Sequence, residues 1–212
     1  MHRRFMPPEE IEKRSFAILH ERMGAFDCAP DEMEIITRIA HATTDVEWAK
    51  TFRFHPEAIR SAIEAIRRGC TIVTDVEMVR VGIRKAGLEP FGCRVECLLN
   101  DRDVIERAKA EKATRAQMAM RKAVSLMDGG IVAIGNAPTA LFEVVDLVKA
   151  GKTKPALVVG VPIGFVGAAE SHQELMETDC PYITHEGPKG GSPVAASIVN
   201  AIVKLAAGKT PK

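Results

Sequence analysis

The chain has 212 residues, 46% of them hydrophobic and 27% charged, with a formal net charge of +1. That length suits one α/β domain with a single large core, taken here as one unit over 1–212 with its core at about 8–206. The near-neutral charge, with eight Phe, one Trp and one Tyr, gives neither the basic signature of a nucleic-acid binder nor a base-stacking platform, and no run approaches the roughly 18 apolar residues of a membrane span.

Met1 to Pro8 contains two arginines, but Glu9, Glu10 and Glu12 follow where an export signal needs an apolar stretch. The segment reads as a short arm on a cytoplasmic protein. Residues 7–26 predict a first helix, opened by Pro7-Pro8 and acidic in its first turn. A second follows Ala29-Pro30-Asp31, with Met33, Ile36, Ile39 and Ala40 on one face, and runs out near His41–Asp45. A third starts at Pro56 and ends at Gly69. The pattern then changes to short apolar runs at Cys70–Thr74, Cys93–Leu99, Ile131–Gly135, Ala156–Val161 and Tyr182–Thr184. These read as buried strands. Helical periods at about 76–86, 101–128, 137–150 and 167–178 separate them, and a last helix spans about 191–207. Such alternation predicts an α/β fold: a five-stranded, mainly parallel, flavodoxin-like sheet with helices on both sides, preceded by a helical segment. Lys209 to Lys212 is expected to fray.

The five cysteines are odd in number and scattered, which does not fit a disulfide framework. Cys93 and Cys97 share a strand face and read as small buried hydrophobes, since a metal site wants two more ligands close by. No metal is expected.

Three Gly-rich loops stand where strands pass into helices: Ile134–Thr139, Val159–Gly167 and Gly187–Pro193. Each taken alone is explained as a tight turn. Together they lie where an open α/β sheet binds ligands, and glycine lets backbone amides approach an anion. None matches GxGxxG or GxxxxGK[ST], so a dinucleotide or nucleoside triphosphate is not the obvious ligand.

Several segments in order resemble the precorrin-8X / cobalt-precorrin-8 methylmutase family. Arg38-Ile39-Ala40-His41-Ala42-Thr43 is similar to the segment carrying that family's active-site histidine. Ile72–Val79 resembles its first strand and turn, and Ala113-Thr114-Arg115-Ala116 its Thr-Arg segment, whose arginine lines the substrate cleft. The loops Ile134–Leu141, Gly160–Glu170 and Lys189–Ser197 are also similar, as is the run Gly164–Ser171. The resemblance runs from about residue 8 to 206. It departs from the family pattern at Gly187-Pro188-Lys189, where a Gly-Arg-Lys sequence is common, which leaves one positive charge fewer.

The resemblance implies a three-layer α/β/α sandwich, a homodimer, and an isomerase of cobalamin biosynthesis that moves a methyl group from C-11 to C-12 of a tetrapyrrole. Such a rearrangement consumes no methyl donor and needs no cofactor. It implies His41 as a proton donor near a pyrroline nitrogen. The helix end expected there would favour an imidazolium, and Thr43 or Thr44 would orient the ring. From the pattern alone, a histidine after an apolar helical face is more often a packing or capping residue than a catalytic one. The substrate's carboxylate arms call for distributed donors. Candidates are Arg115, Thr114, Asn136, Thr139, Lys189 and Ser192, with the amides of Gly190 and Gly191. Asp75 and Glu77, after the first strand, either position a ring nitrogen or water or cap the next helix. His172 and His185 flank the loops and are not counted in the site. Rival readings are a non-catalytic corrinoid carrier, another flavodoxin-like enzyme binding an anionic metabolite, and a metal protein using Cys93 and Cys97.

Overall fold

The computed structural model describes residues 7–208. The arm over 1–6 and the tail Lys209–Lys212 lie outside the described residues. The chain opens with α1 (Pro8–Met23), α2 (Pro30–Thr43) and a short α3 (Val46–Ala49), then β1 (Phe52–Phe54) and α4 (Ala58–Arg67). The body follows as β2 (Thr71–Thr74), α5 (Glu77–Gly82), α6 (Lys85–Leu88), a 3-10 turn at Glu89–Phe91, and β3 (Arg94–Glu96). Next come α7 (Arg102–Ala110), α8 (Arg115–Lys122), α9 (Val124–Met127), β4 (Ile131–Ile134) and α10 (Pro138–Lys149). The chain closes with β5 (Leu157–Gly160), α11 (Ala168–Met176), β6 (Tyr182–His185) and α12 (Ser192–Ala206).

The sheet has six strands in the order β1-β6-β5-β4-β2-β3. This corrects the expected five. All five expected strands form and pair in parallel, while β1 adds to β6 antiparallel, with Phe52 opposite His185. Phe-Arg-Phe is too short to show a period, and its charged Arg53 suits a sheet edge. Among the parallel strands the spatial order is second, first, third, fourth, fifth. That is the flavodoxin-type order, and the direction in which successive strands are added to the sheet reverses between β2 and β4, the point where such sheets bind ligands.

Alternate strand residues face opposite cores. Ile72, Ile131, Leu157, Val159 and Ile183 pack with α1, α2, α4, α5 and α12. Val73, Val132, Ile134 and Val158 pack with α7 to α11. Each such side chain, fully removed from water, contributes about 1.5–3 kcal/mol. The expected helix over 101–128 is broken into three. Lys112 turns left-handed at φ 52, and Thr114 then caps α8 by accepting from the amide of Gln117. A Thr hydroxyl satisfies an amide that a continuous helix would otherwise have bonded. The expected helix over 76–86 is likewise split, because Ile83 is extended.

Candidate active site

The carboxyl ends of β2 and β4 meet at Asp75. Its side chain is fully buried and accepts three amides of the first glycine loop: Gly135 at 3.0 Å, Asn136 at 2.8 Å and Ala137 at 2.8 Å. Burial pushes the Asp75 carboxyl above its usual range, while the three amides pull the other way. Asp75 therefore braces the loop at the switch point and does not face a ligand. Glu77 is tied to Arg80 at 2.6 Å.

The three glycine loops come together on this edge. A Cβ on Gly135 would lie 2.8 Å from Ser192 Cα, so the first loop rests on the start of α12. Gly164 N donates to Pro188 O at 3.2 Å and Gly191 N to Val161 O at 2.9 Å, stitching the second loop to the third. The amide of Gly191 is thus already spent, and the candidate amide pair reduces to Gly190. Ser192 is buried at the first turn of α12.

Two buried histidines shape the third loop from behind. His185 meets the carbonyls of Glu186 through Nδ1 at 2.6 Å and Lys189 through Nε2 at 2.5 Å, and the Trp48 indole Nε1 lies 3.3 Å from the same Nδ1. The His172 ring lies 4.6 Å from it, with Nδ1 2.9 Å from Gly187 O. His172 Nε2 is buried without a hydrogen-bond partner among the described residues. Burial, aided by His185, holds His172 down at about 4, and burial also lowers His185.

On the second face of the edge, the Thr114 and Thr139 hydroxyls are 2.8 Å apart, beside the exposed Asn136. Arg115 Nη1 donates to Asn100 at 3.2 Å, and the guanidinium has no carboxylate partner among the described residues. Its helix is held to α10 by the buried Glu143, which accepts two bonds from Arg121 at 2.8 Å each and one from Gln117 at 2.9 Å.

His41 lies elsewhere. Glu34, Ile35, Ile36, Thr37, Ile39 and Ala40 of α2 are buried, which leaves Arg38 and His41 on the flank about one turn apart. His41 is exposed and lines a cavity of about 900 Å³ with Arg38, Arg84, Phe91, Asn200 and Lys204 among its walls. Its ring stacks on Phe16 of α1, centroids 5.0 Å apart and planes at 11°. The Arg38 guanidinium also lies over Phe16, at 4.6 Å. Thr43 does not reach the His41 ring; its hydroxyl donates to Ile39 O and accepts from Asp45 N. The link from His41's helix to the loops is Lys189, whose Nζ meets Asp45 at 2.8 Å and stands over the Trp48 ring. The expected site residues therefore form two groups, and neither Arg115 nor Thr139 lines the His41 cavity. Phe16 and the buried histidine pair carry no sequence signal beyond aromatic character.

Cys93 and Cys97 flank β3, half-buried and free, with Cys93 Sγ donating to Ile66 O at 3.3 Å. No metal-ligating cluster occurs among the described residues, and no described helix is long and apolar enough to cross a membrane.

A doubly wound α/β sheet of flavodoxin-type strand order, with three glycine loops at its switch edge and a separate cavity lined by a histidine, places the chain in the flavodoxin-type α/β class. A family model described as precorrin-8X methylmutase matches residues 10–205. The cobalt-precorrin-8 methylmutase of Priestia megaterium is 46% identical over 94% of this chain and 88% of its own. That of Methanocaldococcus jannaschii is 46% identical over 93% and 90%, and a Sinorhizobium precorrin-8X methylmutase is 37% identical over 92% and 93%. The crystal structure of the Thermus thermophilus precorrin-8x methyl mutase superposes with a TM-score of 0.89 at 38% identity, covering 96% of this chain and 99% of that one. This chain belongs to the precorrin-8X methylmutase family.

Proposed function

We propose that this chain is an isomerase of corrinoid biosynthesis. It moves a methyl group from C-11 to C-12 of precorrin-8X or cobalt-precorrin-8, giving hydrogenobyrinate or cobyrinate. The observation that carries this reading is His41: it stands exposed on the wall of a large cavity, aligned by Phe16, in a chain that matches the family model almost end to end. His41 lends a proton to the conjugated ring, which polarises the π-system toward migration, and takes it back when the methyl has moved. The reaction is intramolecular, so atoms balance without a donor or redox partner. Cobalt, where present, belongs to the substrate. The guanidinium of Arg115, which has no carboxylate partner among the described residues, and the Thr114–Thr139 pair suit carboxylate arms, as does Lys189 once it releases Asp45. Residues 8–206 act as one domain in the cytoplasm, where the five cysteines stay reduced.

The chain works as a homodimer on this reading. Ile163, Phe165 and Val166 beyond β5, with Met78 and Val81 on α5, leave apolar side chains in water, Phe165 at 105% exposure. A second copy would cover them; sedimentation should find two copies, and Phe165→Glu one.

The test is to incubate the protein with each precorrin-8 form and follow the visible spectrum as conjugation changes. Conversion by wild type, with binding but no conversion by His41→Ala, is the expected result. Full turnover in His41→Ala would remove His41 from the chemistry. Tight binding by wild type without conversion would make the chain a corrinoid carrier.

A further inference from the structure

Three cations line the cavity beside His41: Arg38, Arg84 and Lys204. Two are committed. Glu34, only 7% exposed, accepts Lys204 Nζ at 2.7 Å and Arg38 Nε at 3.4 Å, and Arg38 also meets Glu12 at 3.6 Å and covers Phe16. Arg84 differs. It is exposed on the cavity wall, and its guanidinium has no carboxylate partner among the described residues.

The Arg84 backbone is nevertheless fixed. Asn200 of α12, itself on the cavity wall, accepts the amide of Arg84 at 2.9 Å and donates to Gly82 O at 2.9 Å. One side chain therefore clamps both ends of the bend between α5 and α6. The short helices on either side lie tight on α12. A Cβ on Gly82 would come 2.8 Å from Ala196 Cβ, and one on Gly87 would come 3.0 Å from Val203 Cγ1. The rest of that wall is largely neutral, with Ala42, Ala86, Pro90, Phe91 and Ala201. An apolar wall with a guanidinium at its rim, carried on a fixed backbone and without a carboxylate partner among the described residues, suits a flat ring that bears acid arms. Arginine presents a planar fork to a carboxylate, and a charge-assisted pair of that kind is among the stronger polar contacts.

We propose that Arg84 is a carboxylate-binding residue of the His41 cavity, which grips one acid arm of the ring and so sets which edge of the ring His41 meets. This rests on the reading of His41 as the proton donor. It adds an arm site on the α5–α6 bend, apart from Arg115 and the glycine loops on the sheet edge.

The experiment is an absorbance titration with hydrogenobyrinate and with the same ring carrying its arms as primary amides. Wild type, Arg84→Ala, Arg84→Lys, His41→Ala and the control Lys149→Ala are compared. Arg84→Ala should weaken the acid ring about tenfold or more and leave the amide ring unchanged, with Arg84→Lys recovering part of the loss. Lys149→Ala should bind as wild type. Unchanged affinity for the acid ring in Arg84→Ala would overturn the proposal. So would an equal loss for acid and amide rings, which marks a damaged fold. Turnover by His41→Ala is read separately. Full conversion there removes the proton-donor role whatever Arg84 does, and loss of conversion with intact binding leaves the Arg84 result to stand alone.

Discussion

Lys189 Nζ and Asp45 Oδ2 are 2.8 Å apart, and this pair joins the last glycine loop to the chain just beyond the helix that carries His41. The carboxylate of Asp45 occupies the cation proposed above for a substrate arm. Lys189 in turn holds the Asp45 carboxyl below its usual range, with the Trp48 amide adding to the effect. An exposed pair of this kind adds little to stability. Asp45→Asn should therefore leave the melting temperature nearly unchanged while lowering KM, because Lys189 no longer has to exchange one carboxylate for another. Lys189→Ala should raise KM. If both variants shift KM in the same direction, the two residues are not in competition with the substrate.

Asp75 offers a sharper stability test. Its carboxylate is the acceptor for three amides in a fully buried setting. Removing it leaves those donors without a partner, at a cost of about 3 kcal/mol or more. Asp75→Ala should show that loss in urea unfolding. Asp75→Asn should lose less, since its amide oxygen still accepts while its NH₂ opposes a backbone N–H. A loss in Asp75→Ala below about 0.5 kcal/mol, the range of ordinary surface changes, would mean that the first glycine loop stands without this brace.

The parallel strands were legible because Val- and Ile-rich runs at Ile131–Ile134 and Leu157–Gly160 can only be buried on both faces. The sixth strand was not, because three residues hold no period. Thr114 shows the same limit inside a helix. Its residue type marks a cap, but a helical period that continues on both sides hides the break until the left-handed Lys112 is seen. In the site, His41, Arg115 and the glycine loops stood out through resemblance and loop chemistry. Asp75 did not, because an acid after a strand reads the same whether it faces water or three buried amides. Phe16 becomes a partner of His41 only when α1 lies across α2, a tertiary fact no local pattern contains.

Arg115 and the lysines at positions 149 and 152 separate site charge from surface charge. Arg115 carries a guanidinium with a single neutral partner, Asn100, next to the Thr114–Thr139 pair. Lys149 is the last residue of α10 and Lys152 follows it, at the end opposite the Pro138 turn of the first glycine loop. Arg115→Ala should weaken binding of the tetrapyrrole about tenfold or more, and Lys149→Ala or Lys152→Ala should change it little. Equal effects at all three positions would indicate diffuse attraction rather than a defined arm site.

The buried histidine pair makes stability depend on pH. His172 has its pKa lowered from 6.5 to about 4, chiefly by burial and then by the nearby His185. Between those values the unfolded chain holds a proton that the folded chain does not, so acid favours unfolding. This contribution is fully present above about pH 6.5 and is lost as the pH falls toward 4. At about 1.4 kcal/mol per pKa unit, it amounts to about 3 kcal/mol. His185 is lowered in the same direction, by burial, and Lys189, whose carbonyl His185 contacts, adds a nearby positive charge. Urea unfolding of the wild type across that range should therefore show a steep fall with acid. His172→Gln, which keeps a donor for Gly187 O but carries no titrating ring, should flatten part of that fall and leave the part due to His185. The carboxylates titrate alike in both proteins, so the difference between the two curves isolates the ring. Parallel curves would show that His172 takes up its proton without disturbing the fold, and that the third glycine loop does not depend on a neutral histidine behind it.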